Sequence, residues 1–286
     1  MYFRSDLALE VCEQASGVNF STKTEQLGEC KITRTEIPDT ATAKALGKPI
    51  GSYVTFEMPP LSLKTDVFDE RVNSIASQLS EMLPKGLCLV VGLGNEDITP
   101  DALGPKTASG VLATRHIDEQ LKRSAGLEQL NPVAVITPGV LGKTGIESAE
   151  TVKSIVRRIE PACVIVVDAF AARELSRLGC TVQITDAGIS PGSGVGNSRK
   201  ELSKGSLGVP VISIGVPTVV DAVTLAANIL DCDDEGECKK TVGADDMFVT
   251  PREIDSLVDT AAKLLSVSIN RALQPDFTGE EIELLL

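Results

Sequence analysis

Four aspartates stand just past apolar runs in this chain: Asp101, Asp168, Asp186 and Asp221. A carboxyl group shielded from water holds its proton longer, and two of them side by side do not both ionise easily. One then carries a proton while its partner draws one from water, which is the division of labour of an acid-type hydrolase. Asp168 is the foremost candidate, because Val164-Ile-Val-Val167 leads straight into it. Asp101 is the second, in Thr99-Pro-Asp101 after Leu87-Cys-Leu-Val-Val91 and a Gly92-Leu-Gly-Asn95 turn. An Asp after a strand serves equally well as a helix N-cap, so the chemistry requires that these groups converge. The same pair also suits Mg, Mn or Ca as ligands, which leaves a metal-dependent hydrolase open. Nothing else in the sequence asks for a cofactor.

Other chemistries have less to work with. The single histidine, His116, falls inside the stretch read as a helix over 105–123, and a Ser-His or Cys-His mechanism would have to use it. Ser193 sits in Pro191-Gly-Ser-Gly194, but Pro191 stands where a nucleophile elbow needs glycine. The loop from Asp186 to Asn197 carries four glycines. It fits neither the P-loop nor the dinucleotide pattern. Its amides can cradle an anion, and a non-enzymatic anion-binding protein is the reading that follows if they do only that. Asn95, Asp186, Ser193 and Asn197 are therefore expected to line the site.

These residues need a frame. Apolar runs at 87–91, 133–136, 162–167, 181–184 and 209–214 alternate with helical spacing at 65–83, 105–123, 145–159, about 170–177 and 218–230. Strands alternating with helices imply right-handed βαβ units, hence an α/β fold with a mostly parallel central sheet. In such sheets the active site lies beyond the carboxyl ends of the strands, at a topological switch point. Ahead of the sheet, 32–37 and 53–58 read as a small antiparallel unit with one wet face, placed within 31–58, while 1–30 read as irregular. Thr250-Pro-Arg-Glu253 reads as a capping box opening the last long helix. The whole of 1–286 is taken as one domain.

Composition limits the partners. The formal charge is −13, from 27 Lys and Arg against 40 Asp and Glu. That argues against direct nucleic-acid or anionic-membrane binding, both of which need clustered cations. Neither a signal peptide nor a membrane span is expected. Seven cysteines without a CxxC pair fit reduced thiols in the cytoplasm; Cys232 and Cys238 flank an acidic loop rather than a metal site.

The longer motifs carry a resemblance. Arg4-Ser-Asp-Leu-Ala-Leu-Glu10, Val91-Gly-Leu-Gly-Asn95, Thr99-Pro-Asp-Ala-Leu-Gly-Pro105, Pro138-Gly-Val-Leu-Gly-Lys-Thr-Gly-Ile-Glu147, Asp168-Ala-Phe-Ala-Ala-Arg173, Asp186 through Asn197 and Ile214-Gly-Val-Pro-Thr-Val-Val-Asp-Ala222 resemble the spore germination protease family of spore-forming bacteria. The resemblance spans nearly the whole chain. It implies an atypical aspartic-type endopeptidase with a fold similar to hydrogenase maturation proteases, and it puts the two catalytic aspartates on Asp101 and Asp168. It also implies small acid-soluble, DNA-binding spore proteins as substrates, cut between Glu and an apolar residue followed by Ala. Further implications are a zymogen that processes itself, a homotetramer, and a place in the forespore or spore core. Asp6-Leu-Ala is similar to such a cleavage site, so self-cleavage is expected between Asp6 and Leu7, with 1–6 as a short propeptide. Phe170 departs from the Leu expected in that motif.

Overall fold

A computed structural model describes residues 5–63, 68–192, 199–230 and 247–285. Nine strands form one sheet: β1 (Ser21–Leu27), β2 (Cys30–Ile37), β3 (Gly51–Glu57), β4 (Cys88–Gly92), β5 (Val133–Ile136), β6 (Cys163–Ala172), β7 (Thr181–Thr185), β8 (Val211–Asp221) and β9 (Phe248–Val249). The helices are α1 (Ala8–Gln14), α2 (Thr40–Leu46), α3 (Phe68–Met82), α4 (Leu103–Ser109), α5 (Glu119–Ala125), α6 (Leu141–Thr144), α7 (Ser148–Ile159), α8 (Lys204–Leu207), α9 (Ala222–Leu230), α10 (Ile254–Leu273) and α11 (Gly279–Leu285).

The strand order is β1-β2-β3-β7-β8-β6-β4-β5, with β9 added on β8. The stretch β8-β6-β4-β5 is parallel. Its strands are buried on both faces, as their unbroken Val, Ile and Leu runs require; Val164, Ile165, Val166 and Val167 have no exposed surface at all. Burying a side chain of that kind fully contributes about 1.5–3 kcal/mol, so this strand anchors the core. Val90, Ile165 and Val167 pack on one face with α3, α4 and α10, while Leu89, Val91, Val164 and Val166 pack on the other with α7.

The antiparallel unit is part of this sheet. β1, β2 and β3 run antiparallel, and β3 pairs antiparallel with β7. Its expected wet face is dry on β3, where Tyr53, Val54, Thr55 and Phe56 are all buried. The cover comes from the segment read as irregular: Ala8 and Cys12 of α1 pack with Ile37, Leu46 and Tyr53. Leu7 itself is fully buried.

Four further readings change. The helix expected over 105–123 is two helices, α4 and α5, with His116 exposed in the turn between them. The helix expected from about 170 is strand: β6 continues to Ala172 because β8 pairs with it beyond Asp168, as far as Val220. A 3-10 turn, Leu175–Arg177, follows. The helix expected from 218 begins at Ala222, since β8 runs on to Asp221. The capping box does not form. α10 starts three residues after Pro251, and its N-cap, Glu253, makes no side-chain cap bond. The acidic stretch 231–246, with Cys232 and Cys238, lies outside the described residues.

Candidate active site

The two connections leaving β4 and β5 decide where a site can form. From β4 the chain passes through α4 and α5 to β5 on one side. It then returns through α7 on the opposite face to β6, on the other side of β4. The crossovers diverge between β4 and β6, and that switch point opens a crevice at the strand ends.

Asp101 and Asp168 flank this crevice. β4 and β6 stay in register to Gly92↔Val167; β4 then breaks away, and Asp168 is the next residue of β6. Asp168 is 6% exposed. Its carboxylate accepts the Ala169 N–H at 3.0 Å. Burial pushes its pKa well above the ordinary value, and the charges of Asp101 and Asp6 push it further. Asp101 ends a 3-10 turn, Thr99–Asp101, and accepts the Asn95 N–H at 2.8 Å. Burial raises its pKa too, while the Asn95 N–H favours the ionised form. Asp101 is thus the readier of the two to carry the charge, and Asp168 the readier to keep a proton.

Both line one cleft of ≈ 470 Å³, together with Asp6, Leu93, Gly94, Ser148 and Thr218. Thr218 ties the rims together, donating through Oγ1 to the Pro100 carbonyl at 2.7 Å. Glu147 and Arg199 face each other at 3.8 Å on the cleft wall, a contact the sequence analysis missed. Glu147 ends the Pro138–Glu147 motif, but its partner lies 52 residues on and no spacing rule joins them. Phe248 and Thr250 reach the same cleft, so Thr250 lines the site instead of capping a helix.

The other expected site residues separate. Asn95 contributes its backbone N–H to Asp101, while its side chain accepts the Asp97 N–H at 3.2 Å. Asp186 is exposed and outside the cleft; its carboxylate accepts the Ser52 N–H at 2.8 Å and so caps the start of β3. Asp221 caps α9, accepting the Thr224 N–H at 2.9 Å. These two are the structural use of Asp that competes with chemistry. Ser193 and Asn197 lie outside the described residues. His116, exposed on its turn, is not among the residues lining the cleft; His116→Ala is expected to leave activity within about twofold and stability within about 0.5 kcal/mol, checked by turnover and a urea melt. Among the described residues, no three His, Cys, Asp or Glu side chains gather closely enough to hold a metal ion, and no helix is long and apolar enough to cross a membrane.

The N-terminal segment comes to the same cleft. The Asp6 N–H donates to the Ala171 carbonyl at 2.9 Å, and the Ala171 N–H donates back to Asp6 Oδ2 at 2.9 Å. Glu10, 2% exposed, secures the segment further: its carboxylate accepts the N–H groups of Arg173 at 2.7 Å and Glu174 at 2.9 Å.

The chain is thus an α/β protein with a cleft at the ends of its parallel strands, lined by buried Asp168 and half-buried Asp101, with the charge of Asp101 felt at Asp168. Residues 5–232 match the family model described as germination protease. The chain is 42% identical over 319 aligned positions to a germination protease of Caldanaerobacter subterraneus subsp. tengcongensis, covering 99% of this chain and 98% of that one. It is 38% identical over 322 positions to one from Clostridium perfringens, again covering 99% and 98%. The chain belongs to the germination protease family of peptidases. Among solved structures, the NiFe hydrogenase maturation protease HycI from Thermococcus kodakarensis aligns with 68% of this chain and 98% of its own, at 18% identity and a TM-score of 0.38.

Proposed function

We propose that this chain is an aspartic-type endopeptidase that opens the degradation of small acid-soluble, DNA-binding spore proteins during germination, and that it is made as a zymogen that cuts itself between Asp6 and Leu7. The observation that carries the reading is the Asp101–Asp168 pair: two carboxyl groups with raised pKa values on either side of the switch point.

The chemistry follows from the two environments. Ionised Asp101 takes a proton from a water in the cleft as the water oxygen bonds to the scissile carbonyl carbon. The carbonyl oxygen becomes an oxyanion. As the tetrahedral species collapses, the C–N bond breaks and the leaving nitrogen takes the proton of Asp168. A carboxyl group and an amine are released, Asp101 now holds the proton and Asp168 the charge, and one proton exchange restores the pair. Such acid–base assistance is worth roughly 10²–10⁴ in rate. An enzyme with a charge of −13 can attract substrates through exposed basic patches while avoiding the DNA they cover. Homotetramer assembly and a place in the spore core follow from the resemblance alone.

A peptide carrying Glu, an apolar residue and Ala in sequence tests the reading. Mass spectrometry is expected to find cleavage after Glu, at a rate a chelator leaves unchanged. Loss with chelator and recovery with added metal would instead make Asp101 and Asp168 metal ligands, the rival reading.

A further inference from the structure

The carbonyl group of the Asp6–Leu7 peptide bond is held by two donors from distant parts of the chain. Lys48 Nζ donates to the Asp6 carbonyl oxygen at 3.0 Å, and Gln183 Nε2 donates to the same oxygen at 3.2 Å. Neither contact is incidental to its residue. Lys48 follows α2 and its Gly47 cap, and its ammonium also holds the Ser5 carbonyl at 2.9 Å. Gln183 sits in the middle of β7, 2% exposed. Its Oε1 accepts the Ala8 N–H at 2.7 Å, so one side-chain amide grips the backbone on both sides of Leu7. The reciprocal bonds between Asp6 and Ala171 fix the residue before the bond, and Leu7, fully buried, fixes the residue after it. Asp6 lines the cleft that holds Asp101 and Asp168, and its charge is felt at Asp168.

Two donors aimed at one carbonyl oxygen form the arrangement that stabilises an oxyanion, and Asp6 is the residue shared by the pocket that Lys48 and Gln183 line and the cleft that Asp101 and Asp168 line. We infer that Lys48 and Gln183 are the carbonyl-holding residues for self-cleavage at Asp6–Leu7, stabilising the negative charge that develops on the Asp6 carbonyl oxygen when water adds to it. The inference rests on the reading of Asp101 and Asp168 as the pair that activates that water. The step balances as for any peptide hydrolysis: water's oxygen bonds to the Asp6 carbonyl carbon, the bond to the Leu7 nitrogen breaks, and that nitrogen leaves as an amine with the proton from Asp168. Burial lowers the Lys48 pKa, and the neighbouring Asp6, Glu10 and Cys12 act against that by favouring the ammonium form. The residue is half-buried, and its Nζ is committed to the Ser5 and Asp6 carbonyls.

A purely structural clip would make the same contacts in the resting chain, so the test must separate a clip from a stabilised oxyanion. The full-length chain is followed by intact mass for the appearance of an N-terminus at Leu7, in the parent and in Lys48→Met, Lys48→Arg, Gln183→Glu and Asp168→Asn, with melting temperatures alongside. Lys48→Met keeps the stem and removes the donor; Gln183→Glu keeps the acceptor for the Ala8 N–H and removes the other donor. The expected result is self-cleavage slowed about 10²–10³-fold in Lys48→Met, slowed in Gln183→Glu, and largely restored in Lys48→Arg, with the Lys48→Met melting temperature unchanged. Self-cleavage in Lys48→Met at the parent rate or faster would overturn the inference and leave Lys48 a clip. So would equal slowing in Lys48→Arg and Lys48→Met accompanied by a lowered melting temperature. If the parent never yields Leu7 as its N-terminus, the inference falls while cleavage of an added peptide still judges the aspartate pair. If Asp168→Asn processes normally, the aspartate reading falls, and the inference with it.

Discussion

Asp168→Asn should lose peptide cleavage by about 10²–10⁴-fold and, at neutral pH, melt at a higher temperature than the parent chain. The first half follows from the role: the amide has no proton to give the leaving nitrogen. The second half follows from the cost of keeping the carboxyl where it is. Burial and the charges of Asp101 and Asp6 raise its folded-state pKa well above the unfolded value. Below the unfolded pKa both states are protonated, and the site costs nothing through ionisation. As pH rises past that point the unfolded chain ionises and the folded chain does not, so stability is lost progressively until the folded pKa is reached. At neutral pH the parent carries that loss and the Asn variant does not. The gain in melting temperature should therefore shrink as pH falls toward about 4, the unfolded pKa of Asp. Thermal melts across pH check this. A variant that loses activity and is also less stable at neutral pH would show that Asp168 is held by favourable contacts, and would remove the argument for a stored proton.

The same pair sets the pH profile. On the proposed mechanism cleavage needs Asp101 ionised and Asp168 protonated, so the rate is expected to fall on the acid side as Asp101 takes up a proton and on the alkaline side as Asp168 loses its own, checked by a pH–rate profile. Both limbs are expected above ordinary carboxylate values, because desolvation raises the pKa of half-buried Asp101 and of buried Asp168.

The central sheet was legible because its strands announce themselves. Leu87 to Val91 and Ala162 to Val167 are too apolar for anything but strands covered on both faces, and that run brought Asp168 to the rim without further information. The sequence placed the end of β6 wrongly for an instructive reason. Ala169-Phe-Ala-Ala-Arg173 has the composition of a helix, and intrinsic propensity yields to the nine-residue pairing that β8 offers. The N-terminal segment was illegible for a different reason. The hydrogen bonds that tie Asp6 and Ala8 to the sheet reach partners more than 160 residues away, at Ala171 and Gln183, and α1 has only two turns in which to show a period. β1 shows none at all, since every one of its residues is exposed. Asp186 and Asp221 looked like Asp101 and Asp168 in sequence because a carboxylate that caps and one that reacts follow the same kind of strand. Only the neighbours at the rim separate them.

Those neighbours are held by contact between backbones, and Gly104→Ala is the substitution that should disturb them most. A Cβ at Gly104 would lie 2.1 Å from the Leu93 carbonyl oxygen, 2.6 Å from the Leu93 nitrogen and 2.6 Å from the Val167 carbonyl oxygen. The Leu93 N–H and the Val167 carbonyl form a hydrogen bond of 2.8 Å, so the new methyl would enter the bond that joins the ends of β4 and β6. None of these atoms is the tip of a flexible side chain. Across the same contact, a Cβ at Gly92 would meet the Gly104 carbonyl oxygen at 2.2 Å. The start of α4 therefore rests directly on the strand ends, and it is this closeness that carries the turn ending in Asp101 to within reach of Asp168. The methyl must push α4 and that turn away from β6. Overpacking of this kind costs about 1–3 kcal/mol or more, and moving a reacting group by about 1 Å can cost about 10²-fold in rate. The expected outcome is a lowered urea midpoint together with a fall in kcat of that order. Gly205→Ala is the control: its Cβ would meet only Ser203 Oγ at 3.6 Å, an ordinary contact at an exposed position of α8, and both quantities should stay at parent values. If Gly104→Ala kept the parent kcat and midpoint, backbone contact at the switch point would not be what sets the spacing of the two carboxylates, and the positioning of Asp101 would have to come from the Thr218–Pro100 bond instead.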